Sequence, residues 1–271
     1  MRDDGNTSAM VKGLPPTRDE APLTVEELRA FERDGYVVRP GLFSPAEMDE
    51  IDRWTRELEE APEVSGRYWI YRETSLKNQD RKVLQRIENF CPFHTGFDRL
   101  FREGRAICCA DQLFREPAVL FKDKINFKMP GGSGFKPHQD QQAGWSAYAS
   151  LFITVLISID DATQENGCLE IVAGQHRRGL IGDEWKPLDD EVMAGMNPVP
   201  LTAHRGDAVF FDSYVPHGSK PNLTDRPRRA LYVTYNRASE GDQRVRYFAD
   251  KHKSFPPDID RDPKKTYVFK V

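Results

Sequence analysis

From residue 118 onward the chain is written in short apolar runs, each stopped by a turn signal. Ala118–Phe121, Ile125–Met129, Leu151–Ile159, Leu169–Val172, Ala208–Phe211 and Arg229–Tyr235 read as strands. Pro130-Gly131-Gly132, Glu165-Asn166-Gly167, Arg205-Gly206-Asp207 and Asp225-Arg226-Pro227 punctuate them. Many short strands divided this way fold as an antiparallel barrel or a double sheet.

The first part of the chain is helical. Thr24-Val25-Glu26-Glu27 and Ser44-Pro45-Ala46-Glu47 are capping boxes, in which hydroxyl and carboxylate each satisfy a free backbone N–H at a helix start. Pro45 falls at the first helical position, where its missing N–H costs nothing. The first helix is expected to end near Asp34-Gly35, before a short strand at Tyr36-Val37-Val38. The second runs to about Glu60, with Met48, Ile51, Trp54 and Leu58 at helical spacing. Residues 62–82 give no clear pattern. Leu84 to Phe121 reads as helix in two pieces divided by Cys91-Pro92. Near the other end, Phe255-Pro256-Pro257-Asp258 reads as an irregular arm, since two prolines forbid regular helix and central strand. Helices first and strands later make the fold class α+β.

Composition excludes some functions. Net charge is −4 over 271 residues, without the basic excess of a general nucleic-acid binder. No apolar run has membrane-spanning length, and the first residues show no signal-peptide pattern. Cys91, Cys108, Cys109 and Cys168 lack CxxC pairing and read as free thiols of a reducing compartment. A soluble cytoplasmic protein acting on a small molecule is expected, with neither nucleic acid nor membrane as partner.

The chemistry concentrates at Pro137-His138-Gln139-Asp140, just after a stretch holding Gly131, Gly132 and Gly134. On an extended segment His138 and Asp140 face the same side. His217 lies 79 residues further on, shortly after the strand containing Phe210 and Phe211. Two imidazoles and one carboxylate leave an octahedral ferrous ion with three open positions on one face, as O2 chemistry requires. His-x-Asp alone arises often by chance, and its surroundings decide its weight. His94, His204 and His252 have no acidic residue at strand spacing, and His176 lies in a Gly-bounded loop.

Those surroundings include Phe31-x-x-Asp34-Gly35-Tyr36-Val37-Val38, Glu165-Asn166-Gly167-Cys168-Leu169-Glu170, Gly174-x-His176, Gly206-Asp207-Ala208-Val209-Phe210-Phe211, His217-Gly218-Ser219-x-x-Asn222 and Arg228-Arg229-Ala230. In order and spacing, over roughly residues 24–240, the chain resembles the phytanoyl-CoA dioxygenase family of Fe(II)/2-oxoglutarate oxygenases. The resemblance implies a double-stranded β-helix (jelly-roll, cupin-like) core with N-terminal and flanking helices. Residues 1–22 are polar with Pro and Gly and read as a flexible tail, and the resemblance implies one dioxygenase domain over 23–271. It also implies Fe(II) held by His138, Asp140 and His217, with 2-oxoglutarate and O2 as co-substrates. Arg228, eleven residues after His217, is the expected partner of the distal carboxylate of 2-oxoglutarate, because a guanidinium makes two parallel bonds to a carboxylate. Strand alternation lets only one of Arg228 and Arg229 face inward. Ser219 resembles the family's hydroxyl contact to the same carboxylate. Asn126 is a candidate donor to the co-substrate, and Phe135 a candidate apolar wall.

The implied reaction hydroxylates an unactivated C–H bond and releases succinate and CO2. For the substrate side the candidates are Gln139, Trp145, Tyr148, Lys124, Arg177 and Arg178, with Lys128 and Lys136 near the same edge. Cations around a small polar pocket suit an anionic or zwitterionic substrate, such as a phosphonate like 2-aminoethylphosphonate, an amino-acid-like compound or a natural-product intermediate. A long lipid thioester is disfavoured, since no broad apolar or strongly basic surface is evident. The rival classes are a cupin-like metal-dependent isomerase or hydrolase, which has no need of Arg228, and a non-catalytic binding protein, which has no need of intact ligands. A halogenase is disfavoured by Asp140, because that chemistry replaces the carboxylate to admit chloride.

Overall fold

The structure is a computed structural model and describes residues 22–268. The tail expected over residues 1–22 lies outside them, except for Pro22. Two antiparallel sheets form the core. The major sheet has seven strands in the order β1 (Tyr36–Arg39), β9 (Ala208–Asp212), β6 (Phe152–Ser158), β11 (Arg228–Arg237), β4 (Ala118–Lys128), β3 (Lys82–Glu88), β2 (Trp69–Thr74). The minor sheet has four, in the order β5 (Phe135–His138), β10 (His217–Ser219), β7 (Leu169–Ile171), β8 (Val199–Leu201). This is the double-sheet jelly roll, with strands that trade between layers through turns.

Strand alternation gives the major sheet two different faces. Ile70, Ile87, Ile125, Leu231, Val233, Ile153, Val155 and Phe210 point outward into one large apolar cluster. Helices α1 (Val25–Asp34), α2 (Pro45–Glu60), α3 (Thr95–Glu103) and α4 (Arg105–Phe114) contribute Phe31, Met48, Ile51, Phe97, Phe101 and Ile107 to it. Both expected capping boxes are formed, at Thr24/Glu27 and Ser44/Glu47. Gly35 ends α1 at φ +80°, and a Cβ there would stand 2.5 Å from both His176 Nδ1 and Val215 Cγ2. The opposite face looks toward the minor sheet, and the functional groups are on it.

Three expectations are corrected. Residues from Leu84 to Glu88 are strand rather than helix, in a β2–β3 hairpin that also absorbs the unassigned stretch before it. Val83, Leu84 and Ile87 mimic helical spacing because a register shift at Tyr71/Arg72 breaks the alternation, while Arg86 and Glu88 are charged and yet buried. Helix begins only at Thr95, and Ala118–Phe121 belongs to β4. The two strands expected at 118–121 and 125–129 are one strand, whose internal Lys122, Asp123 and Lys124 read falsely as a gap.

Two short helices follow the pattern less visibly. α5 (Asp190–Met193) and α6 (Arg244–Ser254) carry no strong sequence signal, yet α6 lays Tyr247 and Phe248 against Trp69, Phe121 and Trp145. The irregular arm after α6 docks on β2, where Tyr71 Oη donates to Phe255 O at 3.0 Å and Asp258 Oδ2 accepts from Arg72 N at 2.7 Å. All four cysteines are buried thiols, and among the described residues none is in a disulfide. Among the described residues no helix is long and apolar enough to cross a membrane.

Candidate metal centre

β5 and β10 are antiparallel neighbours, and His138 and His217 are direct cross-strand partners. Their rings stand 4.3 Å apart between centroids. Asp140 is not on the strand, as the extended-segment reading assumed. It opens the short 3-10 turn Asp140–Ala143 directly after β5. The turn brings its carboxylate back to the imidazoles, with Oδ1 at 4.0 Å from His138 Nε2 and 3.9 Å from His217 Nε2. One ligand atom from each of the three lies within 4.8 Å of the others.

The atoms around this group fix its protonation. His138 Nδ1 pairs with Lys136 O at 2.7 Å and His217 Nδ1 with Val215 O at 3.0 Å. A carbonyl only accepts, so each Nδ1 donates, and Nε2 is the ring atom left to face Asp140 and an ion. Thr154 Oγ1 donates to Asp140 Oδ2 at 2.8 Å, leaving Oδ1 for the ion. Burial, then the neighbouring His217, pushes His138 below its ordinary value and keeps it neutral. Burial alone would raise Asp140, but His217, His138, Lys124 and the Thr154 hydroxyl together hold it low and ionised. Two imidazole Nε2 atoms and an ionised carboxylate turned to one point form a donor set for a divalent metal. The residues fit Fe(II).

Beside this group is a second set of polar side chains. Arg228 is 2 % exposed and donates through one terminal nitrogen to Gly167 O at 2.9 Å, while its Nε is buried with no partner. Lys128, its cross-strand neighbour, donates to Gly167 O and Lys220 O. Burial, and then the Arg228 charge, pushes Lys128 down to about 6. A guanidinium with one donor unused, beside an amine that burial and Arg228 keep mostly neutral until an anion joins it, fits an incoming carboxylate. Ser219, Asn126, Phe135 and Tyr232 line the narrow cleft between them and the metal ligands, together with Lys124. Arg229 faces the other way and pairs with Asp160 through two bonds of 2.8 Å and with Asp52 at 2.8 Å.

The substrate-side candidates divide. Lys124 stands in the cleft and Tyr148 lines a larger neighbouring cavity. Gln139 is corrected: its amide is fully buried, donating to Gly179 O and Tyr214 O and accepting from Ile181 N, so nothing remains for a ligand. Trp145 is a buried core residue among Phe121, Phe152 and Tyr247, and its ring lies under the Lys122 ammonium at 5.5 Å. Arg177 and Arg178 are not brought to the site. Their turn docks on α1, with Arg177 donating to Glu32 O and Arg178 to Gln175 Oε1. Lys136 is exposed, and contributes its carbonyl rather than its charge.

Residues missed in the sequence include Thr154, Tyr232, Lys122 and Tyr247. For Lys122 a signal exists: Lys122-x-Lys124-x-Asn126-x-Lys128 has the period of a strand, so all four side chains share the inner face.

The profile of the phytanoyl-CoA dioxygenase (PhyH) family matches residues 31–230. The chain belongs to the phytanoyl-CoA dioxygenase family. With its metal-ligand triad assembled, it is a non-haem Fe(II)/2-oxoglutarate-dependent dioxygenase. Among curated members of the family, it is similar to 2-aminoethylphosphonate dioxygenase of uncultured bacterium HF130_AEPn_1, 39% identical over 246 residues that cover 90% of this chain and 94% of the relative. It is also similar to methylphosphonate hydroxylase of Gimesia maris, 39% identical over 234 residues, covering 86% and 88%. Among solved structures, EctD from S. alaskensis with 2-oxoglutarate and 5-hydroxyectoine shares the fold at TM-score 0.68 and 21% identity, covering 83% of this chain and 80% of that one. The family match and the assembled triad together support the dioxygenase over the cupin-like isomerase or hydrolase and the binding protein.

Proposed function

We propose that this dioxygenase hydroxylates a C–H bond of a small phosphonate, with 2-oxoglutarate held at Arg228. The observation that carries the reading is the row of lysines on the inner face of β4. Lys122 and Lys124 sit over aromatic rings and Lys128 donates only to carbonyls; among the described residues no carboxylate forms an ion pair with any of the three. Burial pushes Lys124 down to about 7 and Lys128 to about 6, and an anion that joins the row restores their charge. 2-Oxoglutarate brings two carboxylates and a phosphonate brings a third anionic group. The names of two relatives matched over most of their length support the same substrate class.

When bound, the ferrous ion and 2-oxoglutarate activate O2, so that one oxygen atom enters the C–H bond as hydroxyl, the other enters succinate, and CO2 leaves. The protein's share is placement. Lys136 O and Val215 O orient the two imidazoles, and Thr154 orients Asp140. Arg228 Nε and Lys128 take the distal carboxylate, and Ser219 adds a hydroxyl. Asn126 and Tyr232 fill the polar side of the cleft, and Phe135 closes its apolar side under the Lys124 ammonium, 5.7 Å from the ring centre. No side chain is needed as a general base.

The test is succinate release above the substrate-free background. 2-Aminoethylphosphonate, methylphosphonate, free amino acids and a short acyl-CoA form the panel. Stimulation by a phosphonate is expected. Stimulation by the acyl-CoA alone would overturn the reading.

A further inference from the structure

A cavity of about 420 Å³ is lined by Lys122, Ala143, Trp185, Tyr247, Asp250 and Lys251 among others, and Ala143 ends the short turn that Asp140 opens. Its link to the metal centre runs across the inner face of the major sheet. Lys122 is the cross-strand partner of Thr234. The Thr234 hydroxyl meets that of Thr154 at 3.1 Å, and Thr154 holds Asp140 at 2.8 Å. Lys122 therefore shares the inner sheet face with the two hydroxyls that lead to Asp140.

The charges of this cavity are not balanced within it. Lys251 is paired with Glu88, and Glu88 is also held by Arg86 Nε at 2.8 Å. That carboxylate is thus occupied by two cations already. Lys122 has the Tyr247 hydroxyl and the ring faces of Trp145 and Tyr247, at 5.5 and 5.6 Å; among the described residues it is in no ion pair, and Glu88 and Asp140 act on it only at longer range. Trp145 Nε1 is buried without a partner in the same cluster. At another point of the wall stands Asp250, the one carboxylate among the described lining residues. It accepts from Tyr148 Oη at 3.1 Å and pairs outward with exposed Lys253 at 3.1 Å. Those contacts hold Asp250 below the ordinary carboxylate value, so it is anionic.

A pocket with a buried cation in no ion pair and a separate anion on its wall is complementary to a zwitterion. We propose that this cavity binds an aminophosphonate, with the phosphonate anchored at Lys122 and the ammonium turned to Asp250. The proposal rests on the phosphonate reading above and assigns its recognition residues. Methylphosphonate has nothing to offer Asp250 and is much smaller than the cavity. Lys122 is a specificity residue for every phosphonate and Asp250 only for those that carry an amine.

The experiment uses protein loaded with Fe(II) and 2-oxoglutarate and compares Lys122→Met, Lys122→Arg and Asp250→Asn with the parent. KM is read from succinate release, and Kd from anaerobic calorimetric titration with 2-aminoethylphosphonate and with methylphosphonate. Lys122→Met should weaken both phosphonates by at least about tenfold, since truncating one partner of a buried charge pair removes that much or more. The KM for 2-oxoglutarate should stay at the parent value. Lys122→Arg should recover part of the loss, which a merely unfolded variant cannot do. Asp250→Asn should weaken 2-aminoethylphosphonate and leave methylphosphonate unchanged. Parent-like phosphonate affinity in Lys122→Met overturns the anchor while the function stands, and equal loss of both ligands in Asp250→Asn overturns the ammonium contact. If the parent binds no phosphonate but binds an aminosulfonate with the same Lys122 dependence, the phosphonate reading falls and the zwitterion site stands. If neither class of anion binds, both fall.

Discussion

Thr154 donates its hydroxyl to one oxygen of Asp140 and thereby turns the other toward both imidazoles. The ligand group depends on this bond because Asp140 lies on a turn, where no strand ladder fixes its direction. Thr154→Val keeps the shape and removes the donor. Ferrous affinity is expected to fall roughly 10–100-fold, the usual effect of losing a partner that orients a ligand. Thr154→Ser should bind like the parent, and alanine at His138, Asp140 or His217 should bind no iron. Metal titration of the variants checks this, and parent-like affinity in Thr154→Val would sink the idea.

Arg228 and Arg229 are adjacent and do unrelated things. Arg228→Ala removes the guanidinium whose Nε is unused, and should raise the 2-oxoglutarate requirement well over tenfold, equivalent to about 2–5 kcal/mol. Arg228→Lys should restore only part, since an ammonium makes no forked contact. Arg229→Ala should leave the co-substrate requirement unchanged. It breaks the pairs with Asp160 and Asp52, so the unfolding free energy should drop by about 1–3 kcal/mol in denaturant titration. A co-substrate defect in Arg229→Ala alone would contradict the inward placement of Arg228.

Gly167 carries the carbonyl that receives both Arg228 and Lys128. Its φ is +76°, and an added Cβ would lie 2.1 Å from Lys220 O and 2.8 Å from Lys128 Nζ. Gly167→Ala must shift that carbonyl, at a strain of about 1–3 kcal/mol. Weaker 2-oxoglutarate binding with intact iron binding is the expected result. Equilibrium titration of each ligand separately would show it, and loss of iron instead would mean that the two sub-sites are not independent.

Burial pushes the Asp212 carboxyl up to about 7, although the Tyr214 amide donates to it and Arg237 is near. A raised value means that the folded chain holds this proton more tightly than the unfolded chain does. The stability linked to it is complete below the ordinary value of 3.8 and is lost as pH rises toward 7. Asp212→Asn keeps an acceptor and cannot ionise. It should therefore be more stable than the parent at about pH 8, and the difference should close toward about pH 4. Denaturant unfolding at both ends of this range gives the answer, and a gap that widens on acidification would refute the assignment.

Much of this architecture was readable from the sequence because its signals are local. The capping boxes at Thr24 and Ser44 name their own partners three residues away, and both are formed. The strand runs from Leu151 onward are bounded by turns that only glycine, proline or asparagine make easily. What failed depended on distance. The β2–β3 hairpin hides behind a bulge and behind Arg86 and Glu88, which pair with each other while Glu88 also takes Lys251 from another element. β4 was split in two for the same reason. At the centre, the residues His138, Asp140 and His217 were legible, but the turn that delivers Asp140 was not. Gln139 looked available until its three backbone partners were known, and Arg177 and Arg178 looked close because sequence gives no hint that Glu32 O lies beside them.

Gln139 and Gln142 flank Asp140 on the same short turn, and both reach into the segment that follows Gly179. Gln139 grips Gly179 and Ile181, while Gln142 grips Asp183 and Lys186 and its carbonyl receives the amide of Trp185. The ligand turn and the cavity wall thus form one mechanical piece, with Trp185 held at φ +65° at its tip. Whatever the metal does to the turn, it does to the wall. By thermodynamic reciprocity, a molecule that settles against Trp185 and favours the loaded form of the turn tightens the hold on iron by the same factor with which iron tightens the hold on it.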